Sequence, residues 1–441
     1  MKKYGKTSAL IAIGISTSFL VSACGSASDG EATDLSDASI QAALDKGGDL
    51  LIWGWDATLP AGIDACTAKY PNVNAELVNV GTNTKEYTAF ENAVNAGSGI
   101  PDLIHLEYSV IPQYGLSGDL LDITGYADEK YSSTYTSGPW ENVHLNNKLY
   151  GLPMDSGPAA FFYNAAVLED AGLEVPETWP EFLEAARELK EKTDSYLLAD
   201  VGSTMDMLTL IWQSGGRPFS VSGESVSIDF EDEGTQQFAK FWQDLLDEEL
   251  VAPIASWSDE WYQGLGDGTI ASLLVGGWMP GMLEPGAPAA AGDWRVAPLP
   301  QWDSGQYVTA ENGGSALAAP AAGSNGPLAV GFMECINAGE GVAPRVEAGT
   351  FPATVESLND PSFKDKEFDY FGGQKVNEVL VESAAAVGEG AQFLPYMSYA
   401  RSIFNDHVGQ AYVSDLPLQE GLNNWGNALV EYGKNQGFDV K

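Results

Sequence analysis

The residues with chemistry to offer in this chain are carboxylates, amides and tryptophans set at the ends of apolar runs. Asp155 lies within Tyr150 to Asn164, where Gly151, Pro153, Gly157 and Pro158 exclude a helix and Leu152 and Ala159 to Tyr163 make both ends extended and apolar. A carboxylate inside such a strand has to be hydrogen-bonded or paired. A cleft between two lobes, filled by a hydroxyl-rich ligand, would satisfy it; so would an Asx turn joining two strands. Trp278 follows Gly276 and Gly277 at the exit of an apolar run and is poorly placed to be core. Trp257 and Trp261 fit an aromatic platform or the start of an amphipathic helix equally well.

The elements that must position these residues alternate between strands and helices. Asp49 to Trp55 reads as a strand, Ala61 to Tyr70 as a helix and Val73 to Val80 as a second strand. Tyr87, Phe90, Glu91 and Val94 keep helical spacing, and Pro101 to Leu106 is another buried strand. Repeated βαβ units of this kind give an α/β fold with a mostly parallel sheet covered by helices, and ligand sites at the carboxyl ends of its strands. That puts Trp53 to Asp56, Gly81 to Asn83 and Glu107 to Tyr108 on one rim. Further on, Thr178 with Glu181 is a capping box and Pro180 sits in the first turn. Phe238, Phe241, Trp242 and Leu245 line the core face of a later helix. Ile270 to Val275 is a strand, and Pro327 to Ala338 a helix.

Composition narrows the function. Once Lys2, Lys3 and Lys6 are set aside, 18 basic residues face 62 acidic ones, a formal charge of −44. Such a field repels nucleic acid and anionic headgroups. His105, His144 and His407 are scattered, so no metal constellation is visible and no cofactor is expected. Those three lysines precede an apolar or small run, Ala9 to Ala23, too short to span a membrane and sized for a signal peptide. The run ends in Leu20-Val21-Ser22-Ala23-Cys24, which resembles a bacterial lipobox with Cys24 as the lipidated first residue. The Ser-, Asp- and Gly-rich segment after it, taken here to residue 48, reads as a flexible tether, which leaves the protein lipid-anchored at the extracellular face of the cell membrane. Cys66 and Cys335 both sit on apolar helix faces, as buried thiols or as a pair. The remaining length, about 400 residues, exceeds a single core and points to two domains.

In order along the chain stand Trp53-Gly54-Trp55, Pro101-Asp102-Leu103, Tyr150-Gly151-Leu152-Pro153 and Phe162-Tyr163-Asn164. Then come Thr178-Trp179 with Phe182, Gly277-Trp278, Pro298-Leu299-Pro300 and Gly313-Gly314-Ser315. With the lipobox, this series resembles the extracellular solute-binding proteins of carbohydrate ABC importers, the maltose-binding-protein-like group, over nearly the whole mature chain.

The resemblance implies two α/β lobes of the periplasmic-binding-protein kind, joined by three hinge crossings at 153–155, 299–301 and 341–344. Lobe one would hold 49–152 and 302–340, and lobe two 156–298 and 345–441. Cys66 and Cys335 would then share a lobe, which favours a disulfide. It further implies a monomer without catalytic activity that captures a sugar, an oligosaccharide, by hinge closure and hands it to the permease's transmembrane subunits.

A sugar presents apolar C–H faces and a ring of hydroxyls, so its site wants flat aromatics for the one and carboxylates, amides and backbone groups for the other. On this reading Trp278 is the stacking platform, with Trp257 as a second. Glu107 and Asp155 accept hydroxyls, and Trp55, Asp56, Asn83 and Tyr108 complete the lobe-one rim. Gly313, Gly314 and Ser315 let backbone approach the ligand. Phe351 and Tyr396 line the cleft from lobe two. Two rivals remain at this level. A secreted glycoside hydrolase needs only two suitably spaced carboxylates, though no Gly-x-Ser-x-Gly or phosphate loop occurs. A surface binding protein for a non-sugar solute, such as a polyol or an amine, would keep the cleft without permease contacts.

Overall fold

The computed structural model describes residues 33–303 and 305–441. The expected signal peptide, with Cys24, lies outside the described residues. Two sheets organise the rest, built from β1 Gly48–Trp53, β2 Val73–Val78, β3 Leu103–Glu107, β4 Leu152–Pro153, β5 Ala159–Asn164, β6 Leu198–Ala199, β7 Val251–Ala252, β8 Ser272–Gly276, β9 Trp294–Ala297 and β10 Ser315–Ala318. Sheet one runs β2-β1-β3-β10-β4, with β1 parallel to β2 and β3. In sheet two β5 is flanked by β8 and β9, both antiparallel to it. A parallel bridge between Tyr196 and Ile270 joins β8 to the β6–β7 pair, which is also parallel. The α/β class holds, and the sheets are mixed. β4 and β10, which adjoin passages to or from sheet two, pair antiparallel, β10 with both β3 and β4.

The strands form where the expected runs lie. β3 is buried at Leu103, Ile104, His105 and Leu106, and β5 from Ala159 to Phe162, as strands covered on both faces must be. The helix Trp179–Lys192 starts with the full capping box, Thr178 accepting from Glu181 N and the Glu181 side chain accepting from Thr178 N. It buries Trp179, Phe182, Ala185, Ala186 and Leu189 along one stripe.

Part of the segment expected to be a tether is structured. Asp37–Lys46 is a helix capped by Ser36, and it buries Ile40 and Leu44 against the helix Gly326–Ala338. Its close approach depends on Gly331, where a Cβ would stand 2.7 Å from the Ile40 side chain. Burying two such aliphatic side chains is worth about 1.5–3 kcal/mol each. The sequence reading took the polar residues before Asp37 as setting the character of the whole segment, and so missed the spacing of Ile40 and Leu44.

The chain passes between the two sheets three times, and the passages lie later than expected. The first occupies 154–158, between β4 and β5. The second does not begin at 299–301. Trp302 still packs on Trp179 and Phe241 at 5.5 and 5.4 Å, and Thr309 Oγ1 donates to Ala159 O at 2.7 Å, so the chain leaves sheet two only near Asn312. Nor is 341–344 the third. Val342–Glu347 is a helix packed on the sheet-one helix Leu59–Lys69, and Arg345 from it is buried against Thr58, Met154 and Asn337. Passage follows at 348–351, because Phe351 already belongs to the sheet-two core.

Cys66 and Cys335 form a disulfide, with Cα atoms 5.9 Å apart and a sequence separation of 269. It joins Leu59–Lys69 to Gly326–Ala338, two helices of the same layer that come from opposite halves of the chain. Replacing both cysteines by serine is expected to cost about 2–5 kcal/mol of stability. Urea unfolding of oxidised protein and double variant measures this; coincident midpoints would show that the bond does not constrain the unfolded chain.

Candidate functional site: a polar rim facing a tryptophan wall

The carboxyl ends of β1 and β3 bring Trp55, Asp56, Glu107 and Tyr108 together, as their strand positions require. The Trp55 indole stacks on His105 with centroids 4.0 Å apart and meets Tyr87 edge-on at 6.0 Å. Glu107 is held by three donors: Asn83 Nδ2 at 2.9 Å, Tyr87 OH at 3.0 Å and Arg401 Nη1 at 2.8 Å. Asn83 holds a left-handed backbone, φ 57°, just before the helix Thr84–Ala96. Arg401 comes from the helix Met397–His407, so the Glu107 pair reaches across from the sheet-one rim to the C-terminal helices.

The passages between the sheets knot together beside this rim. Asp155 Oδ1 accepts from Ser315 N at 2.6 Å and Ser315 Oγ at 2.9 Å, tying the first passage to the end of the second. Tyr108 OH donates to Asp155 O at 2.7 Å. Glu311, 5% exposed, accepts from Ser156 Oγ at 2.9 Å and Gly157 N at 2.7 Å. Ser156 N donates to Phe351 O at 3.2 Å, which brings in the third passage. Arg345, 1% exposed, donates from Nη1 to Met154 O at 3.1 Å.

Burial sets the electrostatics here. It pushes the Asp155 carboxyl up to about 6, with Asp56 adding to the rise and Arg345 opposing it. It likewise pushes Glu311 up to about 7, against its two hydrogen bonds. For Asp56 burial also raises the pKa, but Arg345, His105 and the Thr58 hydrogen bonds outweigh it and leave the carboxyl below its ordinary value. Burial holds His105 down at about 4, so its imidazole is neutral near pH 7.

Sheet two supplies the aromatic wall. Trp278 lies just beyond β8, half-buried, with Nε1 donating to Asn312 O at 2.7 Å. Trp257 stacks obliquely on it, centroids 5.7 Å apart, and on the buried Trp261 at 5.1 Å. Trp257 is 53% exposed and has φ 69°, a left-handed backbone uncommon for so bulky a residue. Asn312 fastens this wall, accepting from Gly276 N at 3.2 Å and donating to Asp206 Oδ1 at 2.9 Å and Thr209 Oγ1 at 3.2 Å.

Several expected roles shift. Gly313 and Gly314 have φ near 85°, but protein rings occupy the space beside them. A Cβ at Gly314 would stand 2.5 Å from the Tyr108 ring, and one at Gly313 3.1 Å from Trp278 Nε1. They thread backbone between two site aromatics, whereas the sequence reading had them make room for ligand. Phe351 is core, packed on Phe363 at 5.7 Å. Tyr396 is also core, packed on Tyr432 and Phe438, and is not brought to the rim. Sequence reading missed Arg401, Asn312, Asp206, Arg345 and Glu311. Only Glu311 left a signal, as the one charged residue within Val308 to Ala319, the same oddity that drew attention to Asp155.

The arrangement offers acceptors, amides and flat rings, groups suited to a polyhydroxylated ligand. The family model described as bacterial extracellular solute-binding protein matches residues 54–341. An arabinooligosaccharide-binding protein of Halalkalibacterium halodurans is 26% identical over 72% of this chain and 74% of its own. A lactose-binding protein of Rhizobium radiobacter is 24% identical over 84% and 88%. The structure of an ABC-transporter-associated binding protein from B. animalis subsp. lactis, in complex with β-1,6-galactobiose, is 43% identical, with a TM-score of 0.81 over 90% of this chain and 100% of that one.

The raised Glu311 pKa has a testable sign. A carboxyl that titrates near 4.3 unfolded and about 7 folded binds more protons in the native state between those values. Stability therefore falls as pH rises from about 4 to 7, and the loss is complete above the folded pKa. Glu311→Gln keeps an acceptor for Gly157 N, and the Ser156 hydroxyl can turn to accept from the new amide. Relative to Glu311→Gln, the wild type is expected to lose of the order of 3 kcal/mol between pH 4.5 and 7.5. Denaturant titrations at the two pH values decide it: parallel pH dependence in both proteins would mean that Glu311 titrates normally.

Proposed function

We infer that this chain, which belongs to the bacterial extracellular solute-binding protein family, is the substrate-binding component of an ABC importer. It captures an oligosaccharide between its two lobes by hinge closure and delivers it to the membrane permease. The observation that carries the reading is that two chemistries lie on either side of the Gly313–Gly314 backbone: Glu107, Asn83 and Asp155 with Tyr108 on the sheet-one side, and the Trp257–Trp278 wall beyond the ends of β7 and β8. Carboxylates and amides are acceptors and donors for hydroxyls, and indole faces suit the C–H faces of a pyranose. That relatives are described as binding arabinooligosaccharides and lactose, and a similar structure holds β-1,6-galactobiose, supports a saccharide of two or more units.

Three passages meeting in one knot suit a hinge, since closure then turns on a few residues of 154–158, 312–314 and 348–351. On this reading lobe one comprises about 34–153 and 315–347, and lobe two about 159–311 and 352–441. Binding without turnover is the role proposed. Lipidation at Cys24 would hold the protein at the outer face of the cell membrane, where a monomer on a short tether meets its permease.

A thermal-shift screen of the soluble chain from Asp29 onward against mono-, di- and trisaccharides, with calorimetry on each hit, tests the reading. A ligand at a hundredfold excess over its dissociation constant stabilises by about 2.7 kcal/mol. Trp278→Ala is expected to weaken the best hit by about 2 kcal/mol, roughly thirtyfold in affinity. No stabilisation by any saccharide would refute the reading, and release of monosaccharide during the titration would make the protein a hydrolase.

A further inference from the structure

Behind Trp257 lies a chamber of about 60 Å³ that shares Trp257 and Asp206 with the site described above and runs inward from it. Its inner wall is apolar and buried, made by Leu210, Phe238 and Leu273. Polar groups stand at its half-buried side: Ser203, Asp206 and Ser256. Asp206 Oδ1 takes Asn312 Nδ2 at 2.9 Å, and the carboxylate has acceptor sites to spare. Asp200, which also lines the chamber, is already taken by Gly202 N, Trp242 Nε1 and Tyr412 OH at 2.7–2.9 Å.

The volume decides what can enter. One water needs about 10–15 Å³ of such space, so the chamber holds roughly four to six water-sized groups, too few for a pyranose ring with its hydroxyls. A ring would have to stay outside, on Trp257, and send in a short arm. Trp257 is suited to that: its indole is half-exposed and its backbone is left-handed, the kind of local strain that collects at ligand clamps. An arm of one methylene and one hydroxyl matches the lining, the carbon against Leu210 and Leu273 and the oxygen within reach of Asp206 or a serine hydroxyl.

We propose that this chamber takes the exocyclic hydroxymethyl group of a terminal hexopyranose stacked on Trp257, so that the protein selects hexose-ended over pentose-ended oligosaccharides. The inference rests on the saccharide-binding reading above and refines it, because a pentopyranose lacks this arm and would leave both the apolar wall and the Asp206 acceptor unfilled.

Calorimetry tests it on β-1,6-galactobiose, lactose and cellobiose, each against the counterpart whose terminal hexose is replaced by the pentose of the same ring configuration, and on the tightest saccharide of the wider screen against its own armless counterpart. The hexose-ended member of the binding pair is expected to bind at least tenfold tighter, with the 6-deoxy counterpart between the two. Ser256→Leu fills the chamber and should bring the pair within about twofold by weakening the hexose-ended ligand alone. Its melting temperature shows whether it folds, and the 6-deoxy series on wild-type protein needs no variant. Equal or tighter binding of the pentose-ended member, or an undiminished preference in a folded Ser256→Leu, overturns the chamber's role and leaves saccharide capture standing. Failure of every saccharide to bind overturns both.

Discussion

The two sheets are set against each other by a small set of buried charges where the chain passes between them. Asp155, Glu311 and Arg345 are each held by hydrogen bonds that run between one passage and another. Burying such groups costs several kcal/mol apiece before any partner is counted. Apolar side chains would fill the same volume more cheaply, but they do not specify direction. A carboxylate that accepts from Ser315 N, or from Gly157 N, fixes where the next strand begins, and so fixes which rim residues face the tryptophan wall.

The same knot limits how the molecule can move. Backbone at Gly313 and Gly314 runs between the Tyr108 ring and the Trp278 indole with no room for a Cβ. A rotation of one sheet against the other is therefore felt directly by two site aromatics, one from each side. The Asp155–Ser315 and Glu311–Ser156 bonds tie the first passage to the residues on either side of the second. Glu107 and Arg401 lie farther out. Their pair joins the sheet-one rim to the C-terminal helices and leaves both side chains about a quarter exposed.

What the sequence made legible follows from periodicity and from oddity. Strands β1 to β3 and the helix Trp179–Lys192 came from regular spacing, because burial on one or two faces writes itself into every second or every third to fourth residue. Asp155 came from oddity, a charge in an apolar strand. Glu311 carried the same mark but stood just before Gly313, Gly314 and Ser315, which read as backbone open to ligand, so its burial passed unnoticed. Arg401, Asn312 and Asp206 had no local mark, since ordinary helices and loops carry such residues at their surface and only the tertiary fold turns them inward. The passages were misplaced for a related reason. Trp302, past a Pro-rich segment, looked like the beginning of the returning lobe, and only its packing on Trp179 and Phe241 keeps it with the departing one. Tyr396 was placed by analogy in position, and the small residue opposite it, Gly433, pulled it into the core instead.

β10 has a bearing on how the chain is made. It lies inside sheet one, between β3 and β4, although it is drawn from residues 315–318. A polypeptide made amino end first therefore presents β1, β2, β3 and β4 long before the strand that must be inserted among them. During that interval the free edge of β3 has no native neighbour, and Cys66 waits for a thiol 269 residues behind it. The first half of this protein to be made is thus among the last parts able to finish folding, and its open strand edge is exposed to wrong pairing until the second half arrives.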